Sequence, residues 1–348
     1  MIDQYVADNF PTIKAWPIMP ADAYIGLSGE VVRTIEPHTE ADPAALLLQF
    51  LTFFGNAVGR GPHFQVEGDR HFTVLDIVLV GATAKSRKGT SAGRIRQIFK
   101  AADSDWESIR VKTGLSSGEG LISEVRDPVM NGAKIIDPGV EDKRLLVLEA
   151  EFAGALTMMR RPGSVLSRVI RDAWDCRDLA VLTKNNPTHA TGPHISIIGH
   201  ITFDELLAKM DRTSMTNGYA NRFLFVCVRR ARLLPHGGDL DDSAVRELAM
   251  RTRERITQAR KVCRVMMTAN AREVWEHAYE ILSRGKPGLL GAILGRAEAQ
   301  TVRLARLYAL LDGSDQIGVA HLNAALSVWS YCEASAGYIF GGVCCREN

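Results

Sequence analysis

The stretch IVLVGATAKSRKGTS, residues Ile77 to Ser91, runs from an apolar strand signal through a glycine into a basic turn and then a helical pattern. Phosphate-binding loops share this plan. A strand delivers the chain, a turn points backbone N–H groups inward, and a helix N-terminus aims its dipole at the anion. The usual spelling is G-x-x-x-x-G-K-[ST]. Here one extra residue separates Gly81 from Lys88, and Gly89 follows the lysine instead of preceding it. In such a loop Gly81 releases the strand sharply, and Gly89 supplies a backbone conformation closed to other residues. Lys88 is the first choice for the phosphate ligand, with Lys85 its competitor, and Thr90 or Ser91 supplies the hydroxyl that holds Mg2+. The alternative is a basic surface turn that joins a strand to a helix.

A second stretch, LLVLEAEF, ends the apolar strand Leu145–Leu148 with Glu149 and Glu151. Nucleotide hydrolases need one acidic group for the Mg2+ shell and another to polarise the attacking water. If extended geometry continues through Glu151, both carboxylates share one face at the carboxyl edge of the sheet, where open α/β sheets bind ligands. Glu149 is then the metal-shell carboxylate beside Thr90, and Glu151 the water-positioning one. The strand HISIIGHIT offers His200 or Thr202 as a sensor of the γ-phosphate. In NGYANRFLF, Arg222 stands at the start of an apolar strand and is a candidate arginine finger. Its ordinary alternative is a pair with a nearby carboxylate.

The chain of 348 residues suffices for one large core or two modest domains, and 46% apolar with 24% charged residues is a globular composition. A net charge of +2 argues against a nucleic-acid-coating protein but leaves room for local basic stripes. The six cysteines lack paired spacing, so a reducing, cytoplasmic interior is expected, with the thiols acting as small apolar groups. Neither a signal peptide nor a long uncharged apolar window is evident, so no membrane association is expected. Residues 1–40 are proline-rich and read as an arm. DPAALLLQFLTFFGNAVG reads as a buried helix. The segment 63–81 reads as a hairpin around Gly68-Asp69 whose second strand is Val74–Val80. A helix follows from about Ser91 to Asp103. The segment LAVLTKNNPTHATGPHISIIGHIT reads as two strands joined by a polar turn, and RFLFVCV as a further strand. This alternation predicts a parallel or mixed α/β core over 41–236, followed by a helical domain over 237–348.

Taken in order, GATAKSRKGTS, GLSSGEGL, LLVLEAEFA, HISIIGHIT and NGYANRFLFVCVRR resemble a family of RecA-like P-loop ATPases of phages, plasmids and bacteria, often primase-associated and described as helicase-like. The resemblance covers about residues 40–335. It implies an ATP- and Mg2+-dependent, homo-oligomeric motor, hexameric in some arrangements, that acts on single- or double-stranded DNA in replication of a mobile element, with a primase as a possible partner. It implies Lys88, Thr90 and Ser91 as the phosphate loop, Glu149 and Glu151 as the acidic strand end, His200 as sensor and Arg222 as finger, with Glu119 a further candidate. Lys184 and Asn185 in the polar turn, together with Arg160 and Arg161, are the candidate DNA contacts. Arg296 and Arg303 belong to the helical part, where one of them is a candidate to approach nucleotide. The rivals are an ATP-switched DNA-binding initiator or loader without motor activity, and a degenerate scaffold that hydrolyses nothing.

Overall fold

The computed structural model describes residues 15–181 and 188–341. Helix α1 (Gly26–Ile35) buries Leu27, Val31, Val32 and Ile35 along one face, so the second half of the supposed arm is part of the core. Helix α2 (Pro43–Val58) is capped by Asp42, whose carboxylate accepts the Ala44 N–H at 2.9 Å. Every residue after its opening proline is buried.

Strands β1 (His63–Val66) and β2 (Asp69–Phe72) form the hairpin by themselves. The expected second strand, Val74–Val80, corresponds instead to β3 (Asp76–Gly81), which joins another sheet. Thr73 separates the two. Its hydroxyl bonds the carbonyls of Gly55 at 2.9 Å and Gly59 at 3.1 Å, which pins the chain to α2 between β2 and β3.

Next come α3 (Lys88–Ala102), α4 (Ser104–Arg110), β4 (Val111–Lys112) and α5 (Gly118–Ser123). A small hairpin, β5 (Val129–Asn131) with β6 (Lys134–Asp137), leads to β7 (Arg144–Glu149), α6 (Phe152–Met159) and α7 (Leu166–Trp174). The first of the two expected strands is β8 (Leu179–Val181), which pairs with an additional short strand in the expected polar turn, β9 (Thr188–Ala190), before the second, β10 (His194–Thr202), begins. Helices α8 (Phe203–Lys209) and α9 (Arg212–Thr216) precede β11 (Phe223–Cys227).

Five of these strands make the central sheet in the order β11-β3-β10-β7-β4, with every pairing parallel. All six residues of β3 are buried, as a strand covered on both faces requires. From β3 the chain passes to the far edge at β4, returns through β7 and β10, and then crosses β3 to reach β11. The connections that leave the neighbouring strands β3 and β10 run in opposite directions along the sheet, and the carboxyl ends at such a reversal are where open α/β sheets take ligands.

Beyond residue 240 the chain is mainly helical: α10 (Asp242–Ala259), β12 (Met266–Met267), α11 (Ala269–Ser283), α12 (Gly288–Leu294), α13 (Ala297–Leu311), β13 (Gln316–Ile317) and α14 (Val319–Phe340). This part shares one continuous apolar core with the sheet. Ser335 of α14 accepts the Cys227 N–H at 3.2 Å, and Arg253 of α10 donates to Ala102 O at 2.7 Å. Cys176, Cys227 and Cys332 are buried free thiols, while Cys263 is exposed. Among the described residues no helix is long and apolar enough to cross a membrane.

Asn56 of α2 is fully buried and holds three elements at once. Its amide donates to Leu145 O at 2.9 Å and His194 O at 3.2 Å, and its carbonyl accepts the Trp106 indole N–H at 3.2 Å. Asn56→Ala strands these groups without water, so a loss of about 3 kcal/mol is expected. A lowered urea midpoint with an unchanged slope is the corresponding measurement.

Candidate functional site

The loop after β3 is compact. A Cβ on Gly81 would lie 2.3 Å from Ser86 Oγ and 3.0 Å from Val228 O, so the close return of the chain requires glycine there. Ser86 N–H donates to Thr83 O at 3.1 Å, and Lys85 N–H donates to Thr83 Oγ1 at 3.1 Å. Arg87 is left-handed, with φ 58°, and turns the chain into α3. Helix α3 begins at Lys88, three residues earlier than the sequence pattern predicts. Gly89 therefore lies in regular helix with open space at its Cβ position; the special backbone conformation belongs to Arg87 instead.

The structure separates the alternatives within the motif. Lys88 is buried, and its ammonium donates to Thr83 O at 3.2 Å, inside the turn. Burial holds its pKa below the usual lysine value, with Glu205 pulling the other way. Lys85 is exposed. Thr90 is exposed in the first turn of α3, whereas Ser91 is buried and committed. Its hydroxyl donates to Lys88 O at 2.7 Å and accepts from Gln49 Nε2 at 2.6 Å. The Gln49 carbonyl lies 3.4 Å from His200 Nε2, which completes a buried chain from α3 through α2 to β10. Burial, together with the neighbouring Lys88 charge, holds His200 down to about 4, so the imidazole is neutral at physiological pH.

Two acidic residues that the motif reading passed over shape the loop. Glu40 accepts Arg87 Nε at 2.5 Å and the Leu234 N–H at 3.0 Å, with Arg230 at 3.8 Å. Arg230 in turn approaches Lys85 O at 3.4 Å. Glu205 forms a capping box with Thr202, so Thr202 caps α8 and is engaged there. Glu40 and Gln49 carry no local motif. Glu205 was visible as the fourth residue of T-x-x-E before an apolar helix.

The acidic strand end differs from expectation. Strand β7 stops at Glu149, and a turn intervenes before Glu151, so the two carboxylates do not continue on one strand face. Glu149 is buried, and its Oε1 accepts the N–H groups of Gly114 at 2.6 Å and Leu115 at 2.7 Å. It holds the Gly/Ser loop ahead of α5, where Glu119 is exposed in the first turn. In the ladder Glu149 pairs with Gly199, so it shares the face of Gly199 and Phe152, opposite His200. Glu151 is exposed at the N-terminus of α6.

Arg222 lies far from the loop. Its strand neighbour Phe223 pairs with Asp76, at the amino end of β3, whereas the loop leaves the carboxyl end. The guanidinium is buried, bonds Gly218 O and pairs with Asp175 at 2.7 Å. The carboxylate-pair alternative is the arrangement found, and it leaves no free guanidinium to extend. Arg160 and Arg161 are exposed beyond the end of α6. Lys184 and Asn185 lie outside the described residues. Compared with protein-family models and with curated proteins, the sequence matches none.

Two expectations follow. Arg222→Ala strips Asp175 of its closest partner, so it destabilises the fold by about 3 kcal/mol, read as a lowered melting temperature before any activity is measured. His200 and His71 are held down to about 4 and His194 to about 3, chiefly by burial. The unfolded chain, with imidazoles near about 6.5, binds more protons throughout that interval. The histidine contribution to stability is therefore flat above about pH 6.5 and falls as pH drops toward about 4, against an opposite slope from Asp76, whose buried carboxyl is raised to about 8. His200→Met removes about a third of this three-histidine contribution to the slope, measurable as urea midpoints across the window.

Proposed function

We propose that this chain is an ATP-hydrolysing motor of the RecA-like P-loop class that works on DNA as a homo-oligomer. The observation that supports it best is the coincidence at the winding reversal. There the loop after β3 folds around a buried lysine, and a 15-residue helix starts at that lysine. The free N–H groups of that first turn, its dipole and the Lys88 ammonium together suit a polyphosphate.

The donor set fits a nucleotide-borne Mg2+, which needs only one or two protein oxygens besides phosphate and water. Thr90 is the available hydroxyl, because Ser91 is engaged with Gln49. Mg2+ supplies charge neutralisation at the phosphate oxygens. Lys88 binds the outer phosphates, and its Thr83 contact is the interaction exchanged for them. Glu151, the exposed acid near the carboxyl edge, orients the attacking water. Glu149 acts by positioning the Gly114–Leu115 loop. His200 reports on the loop through Gln49 and Ser91 rather than by touching phosphate. With Arg222 committed to Asp175, an arginine from outside the loop that does reach it is Arg230, at Lys85 O.

Equilibrium binding of Mg·ATP and DNA-stimulated phosphate release test this reading. Lys88→Ala is expected to weaken ATP binding at least about tenfold, roughly the loss of one charge-assisted contact, while Lys85→Ala stays near wild type. Glu151→Gln retains binding and loses about a hundredfold in turnover. Failure of the folded wild-type chain to bind Mg·ATP, alone or with DNA, overturns the proposal. Nucleotide-dependent assembly without DNA-stimulated turnover or strand displacement assigns the chain to the switch class.

A further inference from the structure

The opposite edge of the sheet holds a cavity of about 320 Å3 between β2, the turn after α7, and α13. Five arginines line it: Arg60, Arg70, Arg177, Arg296 and Arg303. Among the described residues that line it, the acids are Asp69 and Asp175. Asp175 is already shared by Arg222 at 2.7 Å and Arg296 at 3.5 Å. Asp76, close behind, accepts the Ile197 N–H at 2.8 Å, and burial pushes its carboxyl up to about 8. It is thus a weak counter-charge at neutral pH.

The floor is more unusual than the rim. Arg303 is 1% exposed, and the adjacent Arg306 is wholly buried. Arg303 donates to Val74 O at 3.2 Å and Trp174 O at 2.9 Å, and Arg306 donates to His71 O. Carbonyls satisfy hydrogen bonds without neutralising charge. Among the described residues, Arg303 Nε and both Nε and Nη2 of Arg306 have no partner, and neither guanidinium meets a carboxylate. Burial, with Arg303 beside it, holds Arg306 down to about 9. The Trp174 ring keeps the cluster together, with Arg303 at 3.6 Å and Arg296 at 4.9 Å from its centre. Arg296 is also the N-cap of α13 and gives no side-chain cap, so the helix dipole adds to the positive field.

Buried cations without counter-ions are costly, and an anion in the cavity would offset that cost. Guanidinium forks suit tetrahedral oxyanions, which accept several donors at once. The depth of Arg303 behind a rim of exposed Arg70 and Arg177 suits a chain end or a small molecule, not a continuous diester backbone. We propose that this cavity is a second anion site, roughly 20 Å from the β3 loop by the length of that strand, and that it takes a terminal phosphate group. The site stands whether or not the loop binds ATP.

The test uses the full chain carrying Lys88→Ala, so that the loop does not contribute. Inorganic phosphate is expected to raise its melting temperature beyond sodium chloride at matched ionic strength. Adding Arg303→Met should abolish that rise, while a drop in the phosphate-free melting temperature reports separately on the Val74 and Trp174 carbonyls left without their donor. Should that variant not fold, the rim variants Arg70→Gln and Arg177→Gln decide, each weakening phosphate about tenfold. No rise beyond chloride, or an equal rise in these variants, overturns the proposal. AMP and single strands with a 5′-phosphate or 5′-hydroxyl identify the source. A preference for the 5′-phosphate strand assigns a nucleic-acid end, and AMP binding without strand discrimination assigns a free nucleotide.

Discussion

Helix α2 carries a polar stripe through the interior of the protein, and the arrangement of the sheet depends on it. Gln49, Thr52 and Asn56 are all fully buried on a helix whose other positions are almost entirely apolar. Thr52 returns its hydroxyl to Leu48 O within the helix, while the two amides reach outward. Asn56 fixes β7, β10 and Trp106, and Gln49 fixes α3 and β10. Apolar burial holds α2 in the core, but it is non-directional and would tolerate sliding. Buried amides do not tolerate it, because a shift of one residue would leave donors unpaired. The stripe therefore sets the register between the helix and the sheet, and with it the position of the first turn of α3.

Much of this fold was legible in the residues. The apolar runs of β3, β7, β10 and β11 and the capped, proline-started α2 all lie within a few residues of their expected positions. These elements are dictated locally, by periodicity and by end signals. The errors concern pairing. Val74–Val80 was assigned to the hairpin, yet Thr73 turns that segment into the core through carbonyls of α2, a long-range bond with no local signature. Likewise the expected first strand, β8, pairs with β9 from the polar turn instead of joining β10, and Asp127 holds that hairpin on the β5 side of the molecule. It accepts the Thr191 N–H at 2.9 Å and lies 2.8 Å from the His189 ring.

At the loop, the residue types were legible and their division of labour was not. The sequence left Lys85 against Lys88 and Thr90 against Ser91. Burial separates each pair, because α3 starts at Lys88 and turns Ser91 toward Gln49 while Thr90 faces outward. The left-handed residue proved to be Arg87, whose side chain Glu40 retains from outside the motif. Glu149 and Arg222 show the limit of motif reading more sharply. Each has the right chemistry at the right chain position, and each is committed to a structural partner, the Gly114–Leu115 amides and Asp175, that only the tertiary fold brings near.

The two ends of β3 differ in how they handle positive charge. At the carboxyl end the cations face acids: Lys88 lies in the field of Glu205, and Arg87 and Arg230 share Glu40. Charge there is partly offset by nearby acids, so the loop can exchange one partner for another at modest cost. At the amino end Arg303 and Arg306 rest on carbonyls, and Arg222 shares Asp175 with Arg296. Those carbonyls come from two stretches of chain, His71 to Val74 and Trp174 at the end of α7. Moving either stretch would uncover a buried guanidinium, so the hairpin, the end of α7 and α13 are bound to move as one unit. The residual positive field at that end follows from the same construction, since neutral acceptors fix a cation in place without cancelling its charge.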